Sequence, residues 1–168
     1  MGRIFVVVSM LFSVTLTGSA FAQEPVGCDK FKWPIDKERA VLAAAAPIAP
    51  GGEIGQPLSG AVKLPLSPIA DVTLPMPPSR QPKSPDSYAG FIRYAALPQA
   101  ATYRVTVSEP AWIDVVQDGR EVKSTAFTGA LGCDGIRKSV KFDLSAAPFV
   151  IEITGTSAHE IAIAVTPD

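Results

Sequence analysis

Val140-Lys-Phe142-Asp-Leu144-Ser-Ala-Ala-Pro-Phe149-Val-Ile151-Glu-Ile153 is the stretch whose reading decides the fold. Val140, Phe142 and Leu144 alternate with Lys141 and Asp143, and beyond the turn Phe149, Ile151 and Ile153 oppose Glu152 and Thr154. A repeat of two puts one row of side chains inside and the other outside only when the chain is extended. The same repeat runs outward in both directions. Ile161, Ile163 and Val165 close the chain; Ile113 and Val115 alternate with Trp112, Asp114 and Val116. Tyr103, Val105 and Val107 alternate with Arg104 and Thr106, and Tyr88, Ile92 and Tyr94 share a face, with Gly90 between them. Asp118-Gly119 is a two-residue hairpin turn, with residues 121–127 as the returning strand. About eight or nine short strands separated by turns predict a mainly β chain folded as an antiparallel, jelly-roll-like β-sandwich. No strand–helix–strand alternation supports a parallel α/β fold.

Ahead of these strands, residues 28–46 hold the one short N-terminal helix: Asp36 as cap, Glu38 near the positive helix end, good helix formers to Ala46, and Pro47 as the stop. The helix is expected to pack across the sandwich or to be tethered to it. Residues 47–85 contain ten of the 16 prolines. Alternation of Val62, Leu64 and Leu66, and of Val72 and Leu74, predicts ordered edge strands at residues 61–66 and 70–74, then a looser connection over residues 77–85. The expected organisation is a leader (1–22), a helical segment (23–46), proline-rich edge strands and connection (47–86), and a β-sandwich core (87–168), with residues 47–168 as one domain.

The leader is read from Arg3, an apolar run over residues 4–16, and Ala20-Phe21-Ala22, a small-x-small site after which a signal peptidase would cut. The run is shorter than the roughly 20 residues a spanning helix needs. No later segment approaches that length, so the expectation is a periplasmic or extracellular protein without a transmembrane segment after cleavage. Without Arg3 the balance is 14 basic against 16 acidic residues, a formal −2, which argues against nucleic acid as partner. In an oxidising compartment the two cysteines, Cys28 and Cys133, are candidates for a disulfide, with two separate thiols as the alternative.

The run from Phe142 to Ile153, followed by Ile161-Ala-Ile-Ala-Val165, resembles the last strands of small secreted jelly-roll modules, of which the bacterial pre-peptidase C-terminal domain is the nearest type. The resemblance covers the final third of the chain, and Pro148 stands at a turn where that family usually has glycine. The block Cys28-Asp-Lys-Phe-Lys-Trp33-Pro-Ile-Asp-Lys-Glu-Arg39 resembles exported proteobacterial proteins. Some chains of that appearance are linked to homogentisate 1,2-dioxygenase activity. Non-haem iron oxygenases of that sort commonly need two histidines and a carboxylate, and the single histidine here, His159, disfavours the link.

The same count weighs against zinc catalysis, and no metal or other cofactor is expected. Ser157 lies two residues before His159, but no Gly-x-Ser-x-Gly elbow surrounds any serine, so no catalytic residue is assigned. Residues 129–138 are glycine-rich without a phosphate-loop ending. There Asp134, Arg137 and Lys138 beside Cys133 form a candidate anion- or partner-binding rim, against the plainer reading of a bridge-stapled loop with solvated charges. Trp112 and Phe91 fall on outward rows. They are candidates for glycan contact, with burial under other structure, including the N-terminal helix, as the expected alternative. The reading is a non-catalytic binding or accessory protein whose partner is a glycan or another envelope protein. The alternatives are a structural subunit assembling through strand edges, and an enzyme.

Overall fold

A computed structural model describes residues 24–58 and 60–168; the predicted leader lies outside them. Twelve strands are present among the described residues: β1 (Ala46–Pro47), β2 (Glu53–Ile54), β3 (Ala61–Pro65), β4 (Ser67–Pro68), β5 (Tyr88–Tyr94), β6 (Ala101–Val107), β7 (Trp112–Gln117), β8 (Arg120–Val122), β9 (Ser124–Gly129), β10 (Lys138–Leu144), β11 (Phe149–Thr156) and β12 (Glu160–Pro167). They form two facing sheets, β1-β3-β12-β6-β10-β9 and β2-β5-β11-β7-β8, with β4 also paired to β5. Successive strands β3, β5, β6 and β7 alternate between the sheets. The last two, β11 and β12, then insert between β5 and β7 and between β3 and β6. That is jelly-roll connectivity, and the fold is the expected β-sandwich.

The alternating rows meet as their spacing requires. Ile151 lies opposite both Ile92 and Val115, and Val105 lies opposite Val140 and Val165. All of these are buried in one core shared by the two sheets. Each such side chain contributes about 1.5–3 kcal/mol by leaving water. Tyr94 and Phe149, register partners, stack with ring centroids 4.8 Å apart. Gly90 belongs to the same inward row; a Cβ there would stand 2.8 Å from Leu66 Cδ2, so the missing side chain makes room for Leu66.

Three expectations about the strands are corrected. The sheets are not wholly antiparallel, because the two-residue strands β1 and β2 add in parallel to β3 and β5. Residues 121–127 do not return as one strand. Asp118 (φ 52°) and Gly119 (φ 69°) make the expected left-handed turn, but β8 stays in the second sheet whereas β9, after Lys123, pairs with β10 in the first. Residues 70–74 are not a strand: a 3-10 turn over Ile69–Asp71 replaces it, and irregular chain continues to β5.

The helix is shorter than expected. A 3-10 turn (Cys28–Lys30) precedes α1 (Asp36–Ala43). Asp36 is the first helical residue rather than the cap, and with Glu38 it places negative charge in the first turn, where the helix dipole favours it. Ile35 and Leu42 pack with Ala61, Ala164, Cys133 and Ile136 on the outer face of the first sheet. Cys28 and Cys133 are disulfide-bonded across a sequence separation of 105 residues, so the helix is both packed on the sandwich and tethered to it. Among the described residues no helix is long and apolar enough to cross a membrane.

Candidate functional site: a cation-lined cavity beneath a proline-rich strap

The outer face of the second sheet is polar yet covered. Its rows place Trp112 opposite Thr154 and Asp114 opposite Glu152 across β7 and β11. Glu152 and Thr154 are each only 1% exposed. The cover is the strap formed by residues 72–86, and proline chemistry explains how it is held. Within residues 75–79 only Met76 and Ser79 have a backbone N–H, the other three being proline. Both amides end on carboxylates: Met76 N–H donates to Glu152 Oε1 at 2.8 Å, and Ser79 N–H to Asp114 Oδ2 at 3.1 Å. The Ser79 hydroxyl adds a bond to Asp114 Oδ1 at 2.5 Å, and Trp112 Nε1–H lies 2.9 Å from Ser79 Oγ and 3.0 Å from Asp114 Oδ1. Hydrogen bonds to ionised acceptors are the stronger kind.

The fit beneath the strap is incomplete. Glu152 Oε2, Thr154 Oγ1 and Ser87 Oγ are buried without hydrogen-bond partners. Burial raises the Glu152 carboxyl above its ordinary pKa; the Met76 amide opposes the rise and the charge of Asp114 adds to it.

Where the strap reaches Pro82 it passes close to Gly155 and roofs a cavity of about 650 Å³. Its walls come from strap residues 80–84 and Asp86, from Ser87 just before β5, from Glu24 and Pro25, the start of β7, the facing ends of β9 and β10, and the end of β11. Lys138, the first residue of β10, donates to Ala111 O at 3.2 Å. Its Nζ and the Arg80 guanidinium each lie 5.1 Å from the centre of the Trp112 ring. The indole thus supports two cations without neutralising either. Among the described residues neither has a carboxylate at ion-pair distance, whereas Arg137 pairs with Glu24 at the rim. Burial holds the Lys138 ammonium below its usual pKa, helped by repulsion from Arg137 and Arg80 and countered by Asp114 and Glu24.

No family model, curated protein or solved structure matches the chain. The site's chemistry therefore carries the functional reading.

Of the residues singled out from sequence, Arg137, Lys138 and Trp112 line the same cavity. Asp134 does not; it sits exposed at the turn before Gly135. Phe91 lies on β5, with Arg93 4.7 Å over its ring and Gly51 beside it. The N-terminal helix covers neither aromatic, since it packs on the other sheet. The cover of Trp112 is the strap, and no open aromatic platform results. His159 is exposed in the turn before β12, its ring 4.2 Å from that of Tyr88. No group of three or more His, Cys, Asp or Glu among the described residues is placed to hold a metal. Sequence reasoning missed Arg80 and Ser79 because residues 77–85 read as a connection. The signal that could have found them is the pair of cations, Arg80 and Lys83, spaced among prolines in a segment too stiff to be a pure spacer.

Proposed function

We propose that this protein is an exported, non-catalytic binding or accessory module that holds an anionic ligand in the cavity beside Trp112. The observation that carries this reading is the Arg80–Trp112–Lys138 arrangement: two cations against one indole, Lys138 partly dehydrated and Arg80 exposed, with no carboxylate at ion-pair distance of either among the described residues. An entering anion would supply the missing counter-charge at little reorganisation cost. The bridged cysteines are in keeping with export. An exposed His159 with no oriented nucleophile beside it gives an enzyme reading no comparable support.

Titration with small anions such as acetate, citrate and sulfate, followed through the Trp112 indole N–H resonance, tests the proposal. Saturable shifts are expected, lost in Lys138→Met and Arg80→Gln. The absence of any saturable shift would overturn it.

A second reading, assembly through a strand edge, is favoured by one observation. β9 is the outer strand of the first sheet and carries Phe127, 61% exposed. The proline-rich strands, by contrast, lie against β3 and β5 and do not leave those edges bare. Molar mass that rises with concentration and is restored to monomer by Phe127→Asp would support assembly; mass independent of concentration would remove it.

A further inference from the structure

The cavity is much larger than a single small anion, and what lines the remainder is informative. Its volume of about 650 Å³ falls in the range that encloses a small molecule of one or a few rings. Away from Lys138 and Arg80, the wall is rich in hydroxyls: Ser87, Thr154, Thr156 and Ser157 all contribute. Two of these, Ser87 Oγ and Thr154 Oγ1, are buried and have no partner in the protein. A hydroxyl both donates and accepts, so a wall of hydroxyls suits a ligand that is itself polyhydroxylated. Between them stand Pro82, Pro110 and the exposed Phe127 ring, rigid apolar surfaces with few rotatable bonds to freeze.

A nucleotide fits this wall less well. Among the described residues no helix N-terminus lines the cavity; α1 lies on the opposite outer face. The Trp112 ring already carries two cations, which leaves it poorly suited to stack a base.

We infer that the ligand is an acidic saccharide, with its carboxylate or sulfate between Lys138 and Arg80 and its hydroxyls along the Ser87–Thr154 wall. The inference rests on the anion-binding reading above and narrows it. The cations would select the charge, and the hydroxyl wall and apolar patches would select the sugar. Ser87 Oγ and Thr154 Oγ1, both buried, would gain partners if the wall shifts as the sugar enters.

The test is calorimetric titration of the full processed chain with four probes: a hexuronic acid oligosaccharide, a sulfated oligosaccharide, a neutral oligosaccharide of equal length, and acetate or sulfate alone. At least one acidic oligosaccharide is expected to bind about tenfold or more tightly than both the neutral one and the bare ions, and to weaken as salt rises. Lys138→Met should remove that preference, and Arg80→Gln, on the exposed strap, repeats the test where a substitution does not disturb a strand. Bare ions binding as tightly as acidic saccharides would overturn the saccharide assignment and leave the anion reading standing. Equal binding of neutral and acidic saccharides, or no binding by any probe, would overturn both.

Discussion

The two outer faces of the sandwich are both covered, but by different chemistry. Over the first sheet, α1 buries Ile35 and Leu42 against Ala61 and Ala164, and the Cys28–Cys133 bridge fixes the segment covalently. Its one deeply buried charge, Glu38, is satisfied, since Thr166 donates to it at 2.9 Å and Arg104 lies 3.4 Å away, and a single buried polar atom of the helix, Arg39 Nε, is without a partner. Over the second sheet, the strap rests on Asp114 and Glu152 through two amides and a hydroxyl, while two polar atoms beneath it, Glu152 Oε2 and Thr154 Oγ1, and Ser87 Oγ at its end stay unpaired. Apolar contact plus a covalent tie makes a cover that stays shut. Carboxylate hooks over an under-satisfied surface make one that can open, and the cavity lies under the second kind. Regions of low local stability are where binding segments are commonly found.

The sharpest way to break this contrast is to remove the bridge. The double replacement Cys28→Ser with Cys133→Ser is expected to cost about 4 kcal/mol in a denaturant melt, since the bond closes a very long loop. A loss below about 1 kcal/mol would mean that the apolar contacts alone hold the helix. Asp114→Asn attacks the other cover. It weakens both Ser79 bonds and should cost about 2 kcal/mol, with faster exchange of the Ser79 amide and unchanged protection of α1. Equal acceleration at both faces would erase the distinction.

The smallest effect belongs to Glu152→Gln, and its sign matters more than its size. The folded chain keeps the Glu152 proton to a higher pH than the unfolded chain, whose value is near 4.5. The stability contributed by the neutral carboxyl is therefore complete below that value and lost as pH rises through the folded value. Gln, neutral throughout, should raise the melting temperature at pH 7 relative to wild type and abolish that decline. A lower melting temperature at pH 7 would show that the charge itself holds Met76.

How legible the molecule was in its sequence follows the same division. The inward rows, such as Val140-Phe142-Leu144 and Phe149-Ile151-Ile153, could be read directly because burial on one face of a strand imposes a period of two. The disulfide pairing required no choice, there being only two cysteines. The sheet switch at Lys123 was hidden, since a strand that leaves one sheet for the other keeps its alternation. The strap was hidden for a different reason. Its order comes from Asp114 and Glu152, some 35 and 76 residues away in the chain, and local pattern cannot report partners that distant. Arg137, Lys138 and Trp112 were found individually by charge and size. That they face one another, and that Arg80 joins them, depends on how the strap lies.

The strap also bears on how the chain withstands peptidases. Five prolines between Val72 and Asp86 restrict the chain even before folding, which lowers the entropy cost of laying it down. The only cleavage points there for a trypsin-like enzyme are Arg80 and Lys83. Cutting at either requires the segment to lift off the sheet, so nicking tracks the fraction of molecules in which it has done so. If the proposed ligand binds at Arg80, it would slow that clipping.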